Sequence, residues 1–80
     1  MERNEILIKM QEIFRAVMKN PSMQLAIDMT PENIPEWDSL AHTLLITTIE
    51  QEFGIKFSLR EMLELDSVDG ILSSLQKKLQ

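Results

Sequence analysis

Apolar residues recur three and four positions apart over three separate stretches of this sequence, and no segment shows sustained strand alternation. That period belongs to helices with one buried face and excludes half-buried strands. Ile6, Met10, Ile13 and Val17, with Leu7, Phe14 and Met18, predict a helix from about Asn4 to Lys19. Asn4 is its expected cap, and Glu5 suits the first turn. Asn20-Pro21 should end it, because the residue before a proline is pushed out of the helical region. Leu45, Ile49 and Phe53, flanked by Leu40 and Ile46, predict a second helix from Ser39 to about Phe53. Gly54 can close it in a left-handed conformation, with Ile55 packing back on the helix end. Ser58-Leu59-Arg60-Glu61 has the spacing of a capping box, so a short helix is expected over about 59–65. Val68, Ile71, Leu72, Leu75 and Leu79 form the clearest stripe, on a last helix capped by Asp66 or Ser67. Lys77 and Lys78 near its end suit the helix dipole. Gly70 inside it costs roughly 1 kcal/mol relative to alanine, which calls for a packing reason.

Between the first two helices, residues 20–37 contain Pro21, Pro31 and Pro35. They exclude a continuous helix, yet Leu25, Ile27, Met29, Ile34 and Trp37 are too apolar for a free linker. The segment is expected to lie across the helices, with one helical turn opening at Thr30-Pro31-Glu32. The expected fold is all-α: a small four-helix bundle of three longer helices and one short one, with a long loop between helices one and two. A single domain spanning 1–80 accommodates it. The chain has no cysteine, so disulfides and thiolate metal sites are excluded. A hydrophobic fraction of 44% with 26% charged residues argues against disorder. The first residues are not basic and no long apolar run follows them, so neither a signal peptide nor a membrane span is expected, and a cytoplasmic location is.

The net charge of −5 is unevenly placed. Residues 20–55 hold six acids, Asp28, Glu32, Glu36, Asp38, Glu50 and Glu52, and no Lys or Arg. The flanks hold the other seven acids and all eight bases, leaving them near +1. An acidic zone of this kind repels nucleic acid and anionic membrane and steers basic protein partners. Ser39 lies at its centre, in Asp38-Ser39-Leu40 at the head of the second helix. An Asp or Ser before an apolar helix is ordinarily a cap. Backbone N–H groups there also lack intrahelical partners, so an anion attached to the hydroxyl would be favoured.

Other chemistries find less support. His42, the only histidine, follows Ser39 by one helical turn, but a nucleophilic pair needs a third orienting group and an oxyanion hole. A histidine that tunes docking, or is merely solvated, is the better reading. Glu50 and Glu52 fall on different helix faces, Asp66 and Asp69 are explained by capping, and no calcium-loop or phosphate-loop spacing occurs. No metal site is expected.

The stretch Trp37-Asp38-Ser39-Leu40, then Glu50-Gln51-Glu52-Phe53-Gly54-Ile55, then Ser67-Val68 opening the last helix, resembles the acyl carrier proteins and the related peptidyl and aminoacyl carriers. With the first helix and the loop, the resemblance covers nearly the whole chain. It implies that the Ser39 hydroxyl is esterified with 4′-phosphopantetheine from coenzyme A, and that Asp38 and Leu40 support the grip of a phosphopantetheinyl transferase. It also implies a monomeric, non-catalytic carrier of acyl thioesters. Its partners would be acyl-transferring or acyl-activating enzymes with basic docking patches. Met18, Met23, Met29 and Met62 could adapt if cargo enters the core, although ordinary packing accounts for each. The chain departs from the common fatty-acid carriers where acids usually follow the serine. Here the residues are Ala41-His42-Thr43-Leu44, so the docking face is expected to be more apolar, with Glu36, His42, Leu44, Glu50 and Glu52 as its members. The glycine-rich approach of peptidyl carriers is also missing. A specialised acyl carrier is the expectation. An aminoacyl or peptidyl carrier is the nearest alternative, and a helical interaction module without a prosthetic group is the alternative of another class.

Overall fold

A computed structural model describes residues 1–80 as four helices and no strand: α1 Arg3–Val17, α2 Ser39–Phe53, α3 Leu59–Met62 and α4 Val68–Lys78. The apolar stripes explain how they meet. Ile6, Met10, Ile13 and Phe14 of α1 face Leu45, Ile46 and Ile49 of α2 and Val68, Ile71, Leu72 and Leu75 of α4 in one buried cluster. α3 adds no buried residue to it. No helix is long and apolar enough to cross a membrane.

The ends of α1 differ from the sequence expectation. Its cap is Glu2, and Asn4 already lies inside the first turn. Arg3 explains the early start: it donates to the Gln76 side chain at 2.7 Å and lies 4.0 Å from the Asp69 carboxylate, tying the first turn to α4. The helix stops before Asn20-Pro21 because Lys19 turns left-handed, at φ 55°. Its N–H donates to the Ala16 carbonyl, and the Asn20 N–H donates to Arg15, which satisfies carbonyls otherwise orphaned at the helix end. At the end of α2, Gly54 takes the left-handed position at φ 65°, as its type allows.

Residues 18–38 are irregular but held. Met18, Met23, Ile34 and Trp37 are buried in the main cluster, and Leu25 and Met29 pack against it. Met62, by contrast, is largely exposed. Backbone groups of the segment are satisfied from the neighbouring helices. Gln11 accepts from the Leu25 N–H at 2.8 Å, Arg15 donates to the Met23 carbonyl at 2.7 Å, and the Val68 N–H donates to the Met29 carbonyl at 3.0 Å. Thr30 and Asn33 close the single turn around Pro31.

α3 is shorter than the expected 59–65. The Ser58–Glu61 capping box forms, but residues 63–65 continue as tight turns bonded three residues back. That tightening turns Leu65 into the core, fully buried, and brings the chain to Ser67, which caps α4 by accepting from the Gly70 N–H at 2.9 Å. Gly70 has its packing reason: a β-carbon there would overlap the Glu64 carbonyl oxygen.

Candidate prosthetic-group site

Ser39 is the first residue of α2 and is exposed. Asp38 caps the helix, its side chain accepting from the Ala41 N–H at 2.8 Å while its carbonyl accepts from His42 at 2.8 Å. Capping therefore fixes the backbone on both sides of Ser39, yet it makes no demand on the serine side chain. The Ser39 carbonyl accepts from the Thr43 hydroxyl at 3.1 Å, and the Ser39 hydroxyl itself is engaged by nothing in the chain. A rigid backbone under a free, outward hydroxyl is what an enzyme needs to modify a serine from outside.

Beside it lies an open cleft of about 580 Å³, lined by Pro31, Trp37, Asp38, Ser39, His42 and Thr43 on one side and Met62, Leu65 and Asp66 on the other. The long loop supplies one wall and the α3–α4 connection the opposite wall. A linear arm leaving Ser39 has room here, and Met62 and Leu65 give it apolar surface. The site residues fit a phosphopantetheine group at the serine end: the hydroxyl is free and the cleft opens directly from it.

His42 sits otherwise than expected. It is half-buried, and its Nδ1 accepts from the Trp37 indole N–H at 2.9 Å, with the two rings stacked at 24°. Trp37 in turn packs edge-on against Phe14, ring centres 5.2 Å apart. Burial lowers the His42 pKa below its ordinary value, partly countered by the Asp66 carboxylate. No hydrogen bond joins Ser39 to His42, so the pair is not arranged as nucleophile and base. The acceptor nitrogen of the imidazole is already taken.

The remaining expected docking residues separate into three groups. Leu44 is exposed on the outer face of α2, one turn beyond Leu40 of the serine motif, which is 82% exposed. Glu36 and Glu52 are exposed as well. Glu50 is half-buried, and its carboxylate accepts from the Phe57 N–H at 2.9 Å, which fastens the chain after α2. The sequence reading missed Leu59 and Leu63, exposed at 82% and 80% near the cleft wall. Their helical spacing resembled a core stripe. The signal that distinguishes them is that Leu65, two positions beyond Leu63, is the residue the core takes. It also missed the Trp37–His42 bond. A lone tryptophan five residues before a lone histidine, across a helix cap, is the pattern that carries it.

The sequence and fold agree with known proteins. The family profile described as phosphopantetheine attachment site matches residues 36–75, which contain Ser39 and both walls' later residues. Among solved structures, the holo acyl carrier protein of Geobacter metallireducens superposes with a TM-score of 0.85 at 35% identity, over 92% of this chain and 85% of that one. A putative acyl carrier protein of Mycobacterium tuberculosis shares the fold, with a TM-score of 0.79 at 20% identity over 89% of this chain and 95% of that one. No curated protein matches the sequence. A four-helix fold with a serine standing free at the head of its second helix, matched by this profile and this relative, belongs to the acyl carrier protein family, whose members bear cargo on a phosphopantetheine arm.

Proposed function

We propose that Ser39 is the residue that carries the arm, and that the chain serves a dedicated acyl pathway whose enzymes dock mainly through apolar contacts. The observation that carries this reading is the Ser39 hydroxyl: exposed, unbonded, and set on a backbone that Asp38 holds rigid. Bound phosphopantetheine supplies a thiol that the chain itself lacks, and with it an activated thioester. The residues of the chain position and present. Asp38 keeps the first turn of α2 in place while a transferase approaches. Leu40, beside the serine and almost wholly exposed, offers that enzyme an apolar grip. Tethering keeps the cargo at high effective concentration near whichever enzyme is docked. In this reading the docked enzymes supply the catalysis, and Ser39 and His42 are not coupled as nucleophile and base.

Apolar docking is supported by the outer face of α2. Ala41-His42-Thr43-Leu44 stand where the common acidic carriers place carboxylates, and the exposed leucines Leu40 and Leu44 favour burial against a partner. Glu36 and Glu52 flank this strip and favour a partner with a basic rim.

The test is direct. The protein is incubated with coenzyme A, magnesium and a broad-specificity phosphopantetheinyl transferase, and its intact mass is measured. A gain equal to the prosthetic group, absent in Ser39→Ala, is expected. No gain would reject the assignment. Specialisation is tested by offering the loaded protein to enzymes of the general fatty-acid cycle. Turnover as efficient as with their own carrier would contradict it.

A further inference from the structure

The cleft beside Ser39 is poor in side-chain hydrogen-bond donors, and one of them is uncommitted. The Trp37 indole N–H is spent on His42 and the Thr43 hydroxyl on the Ser39 carbonyl. The Ala41 N–H is spent on the Asp38 carboxylate, and the His42 N–H on the Asp38 carbonyl. Pro31, Met62 and Leu65 have no donor to give. The charged residues of the lining are Asp38 and Asp66, both negative, and no Lys or Arg lines the cleft. A phosphodiester on Ser39 therefore meets two charges of its own sign, offset on the backbone by the unpaired Ser39 and Leu40 N–H groups of the first turn of α2.

His42 is the exception. A neutral imidazole that accepts at Nδ1 carries its proton on Nε2, so the Trp37 bond selects the tautomer. Side chains on a helix lean toward its N-terminus, which brings this ring back over the turn that begins at Ser39. Both residues line the same cleft.

We propose that His42, through its Nε2–H, holds the phosphodiester of the arm carried on Ser39 and thereby directs the arm into the cleft. The proposal rests on Ser39 being the attachment residue. It makes His42 a positioning residue held in register by the buried Trp37. It also implies a competition. The phosphodiester's negative charge favours imidazolium, whereas the imidazolium cannot accept from Trp37. Asp66 acts in the same direction as the phosphodiester, and burial acts against both.

Because the chain has one histidine, its ring resonances report on this site alone. His42 is titrated by NMR in the unmodified and the phosphopantetheine-loaded protein, with intact mass and the Ser39→Ala control establishing loading. The phosphorus-31 resonance of the arm is followed in the same samples. The His42 midpoint is expected to rise by ~0.5 pH unit or more on loading, as for a nearby opposite charge. The phosphorus resonance should inflect at that same midpoint, and the inflection should vanish in loaded His42→Gln, which keeps a donor but does not titrate. Equal midpoints in fully loaded and unmodified protein, with a flat phosphorus trace, would overturn the proposal and leave the carrier assignment intact. An inflection that survives in His42→Gln would overturn it too, tracing the effect to Asp38 or Asp66. Absence of a mass gain would instead reject Ser39 as the attachment residue, and this inference with it.

Discussion

The long loop and the short helix make an instructive pair. Residues 18–38 have almost no regular structure, yet four of their side chains are buried in the core and their backbone is bonded to α1 and α4. α3 is regular and well capped, yet it buries nothing, and Leu59 and Leu63 face outward. Regularity and fixity are thus separate properties. Apolar burial fixes a segment, whereas capping merely shapes one. Both regions contribute to the lining of the Ser39 cleft, Pro31 and Trp37 from the loop and Met62 from α3, so one side is anchored and the other is tethered. α3 is held by the Glu61–Lys78 ion pair at 2.9 Å, and through Leu65 and Gly70 at its trailing end.

The largest test of this contrast removes the anchor. Trp37 is buried, packs on Phe14 and donates to His42. Trp37→Ala is expected to cost about 3–5 kcal/mol in denaturant unfolding, as for other large aromatics deleted from a core. A loss below about 1 kcal/mol would mean that the loop is less anchored than its burial implies.

Gly70→Ala comes next and attacks the tether. Alanine is the better helix former by roughly 1 kcal/mol, so propensity alone predicts a gain. The Glu64 carbonyl blocks the added methyl, and relieving that overlap moves the turn between α3 and α4. A net loss of about 1–3 kcal/mol is expected, in the range of overpacked sites. Amide exchange should accelerate over residues 59–66 while the Leu25 amide, bonded to Gln11, stays protected. A stabilised variant would show that the close approach is unimportant.

The two regions also differ in legibility from sequence. The stripes of α1, α2 and α4 were readable because each long helix repeats its period several times, and the core follows from them. Ser39 and its cap were readable because Asp38-Ser39 sits at a boundary between loop and stripe. The loop's burial was readable in outline from Ile34 and Trp37, but its partners were not: bonds such as Gln11 to Leu25 join residues that no local pattern links. The end of α3 was not readable, because Leu59, Met62, Leu63 and Leu65 fit two registers. Only the packing of Leu65 against the long helices selects one. The bond of Glu50 was not readable for the same reason, since its acidity is visible in the sequence and the Phe57 N–H it satisfies is not.

Acidification should affect the walls in sequence. The His42 pKa is lowered in the folded state, chiefly by burial. The unfolded chain therefore takes up the proton first. Stability is full above the ordinary histidine value near 6.5 and declines as pH falls from there through the folded value. The loss belongs to the Trp37 wall and should be absent in His42→Gln. Glu61 is lowered by the Ser58 N–H first and by Lys78 second, so its contribution is present above the ordinary carboxylate value near 4.5 and fades as pH falls through its lower folded value. That second loss belongs to α3. Melting temperature and α3 amide exchange, each followed from pH 8 to about 3, separate them by window. Loosening of α3 before the Trp37–His42 contact on the way down would reverse the expected order.

The smallest expected effect is the most telling about α3. Leu63 is a large apolar residue, and a leucine deleted from a core costs about 2–5 kcal/mol. Leu63 is 80% exposed, however, and lies outside the buried cluster. It gives up little on losing its side chain, because that side chain is already in water. The expected change in unfolding free energy for Leu63→Ser is within about ±0.5 kcal/mol, because Leu63 caps α3 with its backbone N–H and its side chain takes no part. Ile34→Ala serves as the matched control from the loop. It removes a buried branched side chain from an irregular segment and should fall in the range of about 2–5 kcal/mol. If the leucine capping α3 proves costly and the loop isoleucine does not, then fixity follows secondary structure after all, and the assignment of an anchored and a tethered side is inverted.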